Sequence, residues 1–285
     1  MDAIWLAAVA AAAWGAADYF GGASRGQTPV LVIVAVSELL GLCLFIPVLV
    51  VRGVPLPASP RLLLAALAGV GVTVELGLTY LALSRGEGFI TASVGALGAA
   101  VAATVGLISG DPLDTLVAAG LACALVGGGV SAWTSDRSNR GGGPLRSAAL
   151  CAGAAAGVAM TLISFHAAGQ VDPYWATAVE HVSTGLCAIL IQLVIGRRAG
   201  RRLLPRVTQF PGLALVACAG TGGDLAYAIA SQRDTLSVLS AVSSLYPVAT
   251  IALGVVIQHQ RPNRVQVAGI ALALVGAVVL GSASG

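Results

Sequence analysis

Seven ionisable side chains lie inside long apolar stretches of the sequence, where a charge is costly. They are Asp18, Glu38, Glu75, His166, Glu180, His181 and Asp224. On insertion scales a charged side chain at the centre of a membrane helix costs roughly 2.5–3.5 kcal/mol, so such a residue indicates a functional site by default. No arginine lies deep in these stretches, and the chain has no lysine. The excess of carboxylates therefore favours a site for a substrate cation or for a proton.

Several of these residues also have a purely structural interpretation. Asp18 is near the end of its apolar stretch and could face interfacial water. Glu38 could be capped by serine or backbone groups inside a helix bundle, and His166 could be a satisfied hydrogen-bonding residue. Glu180 and His181 are adjacent in the chain. They point about 100° apart on a helix, so we expect that they cannot both line one narrow face.

The composition indicates an integral membrane protein. Of the 285 residues, 57% are apolar and only 9% are charged, whereas soluble domains contain about 25% charged residues. Such a chain is neither a soluble globular protein nor disordered. All 15 basic residues are arginines and most lie between the apolar stretches, which excludes a basic face for nucleic acid. The five cysteines lie within apolar stretches, so we expect no disulfide, no metal site and no cofactor.

Apolar windows of about 19 residues predict ten transmembrane helices. They cover residues 3–20, 30–51, 62–83, 89–109, 114–133, 147–168, 174–195, 210–231, 236–257 and 264–281. These segments lack the alternation of barrel strands, and a helix satisfies its own backbone hydrogen bonds in lipid. The predicted fold class is therefore an all-α integral membrane protein, with connections too short to form a soluble domain.

Residues of the first half recur in the second half at nearly constant shifts. Gly41-Leu42-Cys43 returns as Gly185-Leu186-Cys187, and Gly120 returns as Gly269. A unit of five helices re-enters the membrane from the opposite side when it is repeated, so the two halves are predicted to be inverted. The polar segment between them is typical of a flexible linker. We expect a first five-helix repeat at 1–136, a linker at 137–143 and a second five-helix repeat at 144–285.

Several motifs, in this order, resemble those of the drug/metabolite transporter superfamily, whose ten-helix members contain two EamA-type repeats. They are Trp14-Gly15, Tyr80-Leu81-Ala82-Leu83-Ser84-Arg85-Gly86, Gly110-Asp111-Pro112-Leu113, Ser244-Leu245-Tyr246-Pro247 and Gln266-Val267-Ala268-Gly269-Ile270. Asp111 replaces the glutamate of the family's Gly-Glu turn, and the second copy of that turn is His259-Gln260. The resemblance covers nearly the whole chain. It implies a transporter with a central cavity surrounded by the third, fourth, eighth and ninth helices.

The repeat singles out Glu75 and Asp224 as the coupling or substrate-binding pair. The two residues occupy equivalent positions in the halves and would flank the membrane midplane at the repeat interface. Tyr227 follows Asp224 by one helical turn, and Trp14, whose alternative role is an interfacial anchor, precedes Asp18 by one turn. The remaining candidates for substrate or proton binding are Asp18, Glu38, Glu180 and His181. Pro247 is predicted to break the ninth helix and to act as a hinge.

These features predict a secondary active transporter in the cell membrane, most simply a proton-coupled exporter. Its cargo would be a small metabolite, an amino-acid-like compound, an amine or a cationic drug. We expect no enzymatic activity, and the chain lacks a phosphate-binding Gly-x-x-x-x-Gly-Lys motif. The expected partners are the substrate, protons and the lipid bilayer, without nucleic acid, in a monomer or a homodimer.

Two alternatives are an intramembrane aspartyl protease and a channel. Asp18 and Asp224 could form a protease dyad that shares a proton. However, Gly220-Thr221-Gly222-Gly223-Asp224 has one residue too many for the Gly-x-Gly-Asp signature of these proteases. Neither a filter loop nor a ring of like charges supports a channel.

The arginines predict the orientation in the membrane. The connections after the first, third, fifth, seventh and ninth helices, which we call the arginine-rich side, carry 12 arginines. The opposite, arginine-poor side has only Arg52, Arg61 and Arg233. The positive-inside rule then places both termini outside the cell. The family resemblance implies the opposite orientation, with both termini in the cytoplasm.

Overall fold

The protein is almost entirely α-helical. The computed structural model describes residues 3–24, 28–83, 89–131, 144–199, 205, 207–259 and 263–283. The helices are α1 (Ala3–Ser24), α2 (Val30–Arg52), α3 (Leu64–Leu83), α4 (Phe89–Ile108), α5 (Thr115–Ser131), α6 (Pro144–Gly169), α7 (Pro173–Ala199), α8 (Phe210–Ala230), α9 (Leu236–Ser243), α10 (Tyr246–Gln258) and α11 (Arg264–Ala283). Within these ranges there is no β-strand, which confirms the predicted all-α fold class.

The helices follow the ten predicted spans in order. Seven of the described helical stretches are long and apolar enough to cross a membrane, and shorter apolar stretches of α4, α5 and α11 correspond to the other three spans. The shortest of these helices, α5, has 17 residues. At 1.5 Å per residue it is about 25 Å long, close to the thickness of the hydrocarbon core. The outer surface exposes large apolar side chains such as Val101, Leu190 and Val278, as expected of a multi-pass membrane protein.

The ninth predicted span is divided between α9 and α10. Ser244 and Leu245 separate the two helices, and Pro247 lies in the first turn of α10. Because proline has no N–H, it cannot donate the helical hydrogen bond to the carbonyl of Ser243. The next amide, that of Val248, instead bonds to the Leu245 carbonyl at 2.9 Å. The helix therefore breaks where the sequence predicts, whereas the hinge role of Pro247 stays a prediction.

The main contacts between helices of the two halves have equivalent contacts related by the repeat. The first helix of each half packs on the third helix of the other half, as α1 does on α8 and α6 does on α3. The second helices, α2 and α7, pack on each other, and so do the fifth helices, α5 and α11. Two repeats related by a two-fold axis produce this pattern. The predicted repeat boundaries stay a prediction, and the linker at 137–143 lies outside the described residues.

Two close contacts between α5 and α11 repeat this relationship at the level of single residues. A Cβ atom added to Gly127 would overlap the backbone of Ala273, and one added to Gly276 would overlap the backbone of Ala124. Ala124 and Gly127 are the equivalents of Ala273 and Gly276 at the sequence shift that relates Glu75 to Asp224. Small residues at such positions let two helix backbones approach closely in a membrane.

Candidate functional site

One cavity of about 180 Å³ is lined by all five acids that the sequence analysis places within the membrane. Asp18 comes from α1, Glu38 from α2, Glu75 from α3, Glu180 from α7 and Asp224 from α8. No arginine is among the described residues that line this cavity, so the carboxylates meet without a fixed cation. The rest of the wall is apolar or weakly polar and includes Trp14, Val30, Ile33, Val72, Leu76, Thr161, Val216, Ser243, Ser244 and Tyr246.

The cavity extends to the arginine-rich side of the helix bundle. α1 contributes residues as far as Gly21, and α2 contributes residues from Val30 onward, so the lining reaches the turns on both sides of the first connection. Gly95 and Val216 lie in the first two turns of α4 and α8, which follow other connections of that side. The lining therefore extends from the centre of the bundle towards the arginine-rich side.

The opposite end of the bundle is closed by α6. This helix packs on α7, α8 and α9, whereas in the described ranges its equivalent, α1, has no comparable packing on α2, α3 or α4. Near the end of α6, Phe165 stacks on Tyr227 with ring centroids 6.1 Å apart, and Gly169 lies against Ala228. The two equivalent helices are thus packed at one end of the bundle and separated at the other.

An ion pair joins α2 to α7 on the arginine-poor side. Two guanidinium nitrogens of Arg52 contact the two carboxylate oxygens of Asp172, at 2.8 and 2.9 Å. Oδ1 of Asp172 also accepts the backbone N–H groups of Tyr174 and Trp175 at 3.0 Å, which caps the N-terminus of α7. The same carboxylate therefore fixes the first turn of α7 and the last residue of α2.

Asp224 is positioned by side chains from two other helices. The indole Nε1 of Trp14 donates a 2.8 Å hydrogen bond to its Oδ1 atom. Its other carboxylate oxygen, Oδ2, lies 3.9 Å from Nδ1 of His181. Trp14 itself packs against Tyr227, with ring centroids 5.5 Å apart. Trp14 thus lines the cavity and orients an acid on its wall, in addition to any contact with lipid at the helix end.

His181 brings Glu38 and Glu180 together. Its Nδ1 atom lies 2.6 Å from Oε2 of Glu38 and 2.9 Å from Oε2 of Glu180. Its Nε2 atom is 2.9 Å from Oγ1 of Thr221, and the hydroxyl of Thr184 donates to Oε1 of Glu180. Only Glu180 of the adjacent pair lines the cavity, as expected from their divergent directions. The sequence analysis does not predict that the flexible Glu180 side chain turns back onto the ring of the neighbouring His181.

Glu75 belongs to a different part of the cavity. The Glu75 carboxylate interacts electrostatically with Asp18. The backbone of Glu75 lies against Gly157 of α6. Asp224 instead interacts with Trp14 and the His181 group. The predicted pair of Glu75 and Asp224 therefore lines a single cavity, with each member in its own group of neighbours.

Besides His181, three residues named from the sequence lie off the cavity. Tyr227 is fully buried behind Trp14, and its hydroxyl donates to the Leu162 carbonyl at 3.3 Å. His166 lies near the arginine-poor side, where its Nε2 atom is 3.1 Å from the amide nitrogen of Gln170. Pro247 does not line the cavity, although its neighbour Tyr246 does.

Sequence reasoning missed Thr221 and Tyr246. Thr221 precedes Asp224 by three positions, one helical turn, and this spacing was a usable signal. The phenol of Tyr246 occupies the space that a side chain on Gly95 would need. That contact depends on how α4 packs against the ninth span, so no local pattern indicates it.

Comparisons with known proteins agree with this architecture. Residues 146–282, which run from α6 to α11, match the EamA-like transporter family. A solved structure described as "Crystal structure of protein" superposes with a TM-score of 0.78 over 98% of each chain, at 18% sequence identity. At that identity the likeness shows the fold alone. No curated protein matches the chain in sequence.

Proposed function

We propose that the protein is a secondary transporter that exports a small cationic or amine-bearing compound in exchange for protons. Its residues 146–282 match the EamA-like transporter family. The proposal rests on the cavity in which five carboxylates from five helices meet without an arginine. A cation is the ligand that such a cavity favours, because it offsets the repulsion among negative charges taken out of water. The family match favours transport over the protease and channel alternatives.

Competition for the carboxylates supplies the coupling. A carboxylate that has bound a proton is neutral and no longer attracts an ammonium group. The cavity therefore holds either protons or the substrate, and carrying the two in opposite directions gives antiport. The inward proton gradient of a cell membrane then drives export, without a nucleotide-binding site.

The size and lining of the cavity limit the cargo. An engineered protein cavity of roughly 150 Å³ holds one benzene molecule, so about 180 Å³ suits a compound of similar size in this conformation. Ile33, Val72 and Leu76 provide apolar surface near Glu75. An amphiphilic cation would place its ammonium group among the carboxylates and its apolar body against these side chains.

The unequal packing of α1 and α6 supports alternating access. In this conformation the lining extends towards the arginine-rich side, and α6 closes the opposite end. Because α1 and α6 are equivalent, exchanging their two arrangements would close the first end and open the second. The carboxylates would then face the arginine-poor side without leaving the centre of the bundle.

Transport into vesicles tests the proposal. The purified protein is reconstituted, a pH gradient is imposed, and uptake of amino acids, amines and cationic dyes is measured. Glu75→Gln and Asp224→Asn should fold but lose gradient-driven transport, because each removes one cavity carboxylate. Asp114→Asn is the matched control, since exposed Asp114 caps α5 away from the cavity. This control should transport at the parental rate.

Two results would count against the proposal. If Glu75→Gln and Asp224→Asn both purify well and transport at the parental rate, the carboxylates are structural. If transport of every compound in the panel is independent of the pH gradient, proton coupling is wrong.

A further inference from the structure

We propose that Glu38, Glu180 and His181 bind one divalent first-row transition-metal ion at the edge of the cavity. The site takes one ligand from α2 and two from α7. The sequence analysis predicted no metal site, because ligands that are far apart in the chain form no local motif. The inference concerns ion binding by three side chains and does not depend on the proposed transport function.

The three donor atoms converge on one point. Nδ1 of His181 is 2.6 Å from Oε2 of Glu38 and 2.9 Å from Oε2 of Glu180. One ligand atom from each residue lies within 4.8 Å of the other two. Within the described structure none of these atoms has a hydrogen-bond partner, and each is buried. The His181 and Glu180 side chains are only 2% and 3% exposed. Unsatisfied polar atoms this deeply buried are rare unless a ligand completes them.

One tautomer of His181 presents a lone pair to the two carboxylate oxygens. When the ring N–H is on Nε2, it donates to the Thr221 hydroxyl, 2.9 Å away. Nδ1 then presents its lone pair to the two carboxylate oxygens. A metal-binding histidine commonly donates its second ring nitrogen to a neighbouring oxygen in this way, which sets the tautomer and orients the ring.

The three donor atoms are close enough together to hold a metal ion in place of a proton. The 2.6 and 2.9 Å contacts of Nδ1 with the two carboxylate oxygens also suit a protonated imidazole in an ion pair, and the titration below distinguishes the two. Around a metal ion, the carboxylate oxygens lie to the side of the axis of the His181 Nδ1 lone pair. With metal–ligand bonds of about 2.1 Å, two ligands at right angles are about 3.0 Å apart. The 2.9 Å separation from Glu180 is close to this value, and the 2.6 Å separation from Glu38 would have to open by about 0.4 Å.

The ligand set indicates the class of ion. One imidazole nitrogen and two carboxylate oxygens suit Mn²⁺, Fe²⁺, Co²⁺ or Zn²⁺, whereas Mg²⁺ and Ca²⁺ prefer oxygen ligands alone. Two carboxylates and a neutral imidazole carry a charge of −2, which a divalent ion balances. Glu38 and Glu180 line the cavity, so further coordination positions face it. Asp224 Oδ2, 3.9 Å from Nδ1 of His181, is within reach as an additional oxygen.

Titration with Co²⁺ alone tests this site. The tag-free full-length protein is treated with a chelator, placed in lipid nanodiscs and titrated while the visible absorption of bound Co²⁺ is recorded. We expect saturation at one ion per chain. Electron spin-echo modulation of Mn²⁺ bound to the wild-type protein should show one imidazole nitrogen, a readout that needs no variant.

Variants assign the ligands. His181→Gln and Glu180→Gln should abolish saturable Co²⁺ binding, and Thr221→Val should weaken it roughly 10- to 100-fold, as expected for a residue that orients a ligand. Asp114→Asn is the control: it removes the charge of an exposed carboxylate that caps α5 outside the cavity and should leave Co²⁺ binding unchanged. Absence of saturable binding, or wild-type binding by folded His181→Gln and Glu180→Gln proteins, would overturn the proposal. Neither result bears on amine transport, which the vesicle assay measures separately.

Discussion

A 2.8 Å hydrogen bond from the indole Nε1 of Trp14 to Oδ1 of Asp224 connects the two halves of the protein. It crosses between α1 and α8, two helices in extensive contact. Because the indole also packs on Tyr227, its N–H has a fixed direction. The bond leaves Oδ2 of Asp224 on the side of His181. One aromatic side chain therefore orients an acid on the cavity wall.

Replacing Trp14 tests this role. Trp14→Phe removes the donor but keeps an aromatic ring against Tyr227. A hydrogen bond to a charged group contributes about 1.5–3 kcal/mol, so we expect a lower melting temperature and slower transport driven by a pH gradient. Trp5→Phe is the control on the same helix, because Trp5 is 65% exposed on the outer surface. Equal melting temperatures for the two variants would contradict the predicted role of the hydrogen bond.

The paired contacts of α5 and α11 predict that equivalent substitutions have equal effects. Gly127→Ala and Gly276→Ala each place a Cβ atom against the facing backbone. Such overpacking costs about 1–3 kcal/mol, and we expect both variants to lose similar stability, measured by thermal unfolding in detergent. Gly77→Ala is the control, because among the described residues no atom beyond its own stretch of helix lies within 4 Å of its added Cβ. It should be neutral or slightly stabilising, since alanine favours helix over glycine. Destabilisation by only one of the paired variants would argue against the symmetry.

Asp172 and Arg52 should contribute unequally to the stability of the protein, although they form one ion pair. Arg52→Gln removes the ion pair, and partly exposed pairs contribute about 0.2–1 kcal/mol. It also removes the contact of the guanidinium with the Tyr174 ring, whose centroid is 4.3 Å away. Asp172→Ala also removes the cap of α7, which contributes about 0.5–2 kcal/mol. We therefore expect a larger fall in melting temperature for Asp172→Ala. Equal losses in the two variants would show that the cap contributes no more to stability than the contact of Arg52 with Tyr174.

The acids and their contacts differ in how well the sequence could predict them. The apolar sequence around Asp18, Glu38 and Asp224 was enough to identify them as candidate binding residues, since a charge in such a stretch needs a partner or a cavity. The break at Pro247 followed from the missing N–H. Contacts that depend on the relative placement of helices could not be predicted, and the meeting of Glu38 with His181 is the clearest case. No periodicity within α2 or α7 contains this information.

Tyr227 shows a different limit of sequence reasoning. It lies one turn after Asp224, so the two side chains share a face of α8. The sequence analysis therefore named it as a cavity residue. The structure places Trp14 between Tyr227 and the cavity, and Phe165 covers the other side of the phenol ring. Which residue of one helix face reaches a cavity depends on the side chains of neighbouring helices.

The distribution of arginines predicts the orientation of the chain. If both termini lie outside the cell, a periplasm-active reporter such as alkaline phosphatase fused after Gly285 should be active. The same reporter inserted in the predicted linker, after Gly142, should be inactive. An inactive fusion at Gly285 together with an active one at Gly142 would establish the opposite orientation and would reverse the direction assigned to the cavity.

Pro247 should affect the rate of transport more than the binding of substrate. Pro247→Ala restores an N–H that can bond to the Ser243 carbonyl, so α9 and α10 should join into a straighter helix. We expect slower transport of the compound that the vesicle screen identifies, with its binding affinity retained, because Pro247 does not line the cavity. Pro211→Ala is the control, since Pro211 lies in the first turn of α8, where proline interrupts no helix. If the Pro247→Ala and Pro211→Ala variants both transport at the parental rate, the break in the ninth span is not a hinge.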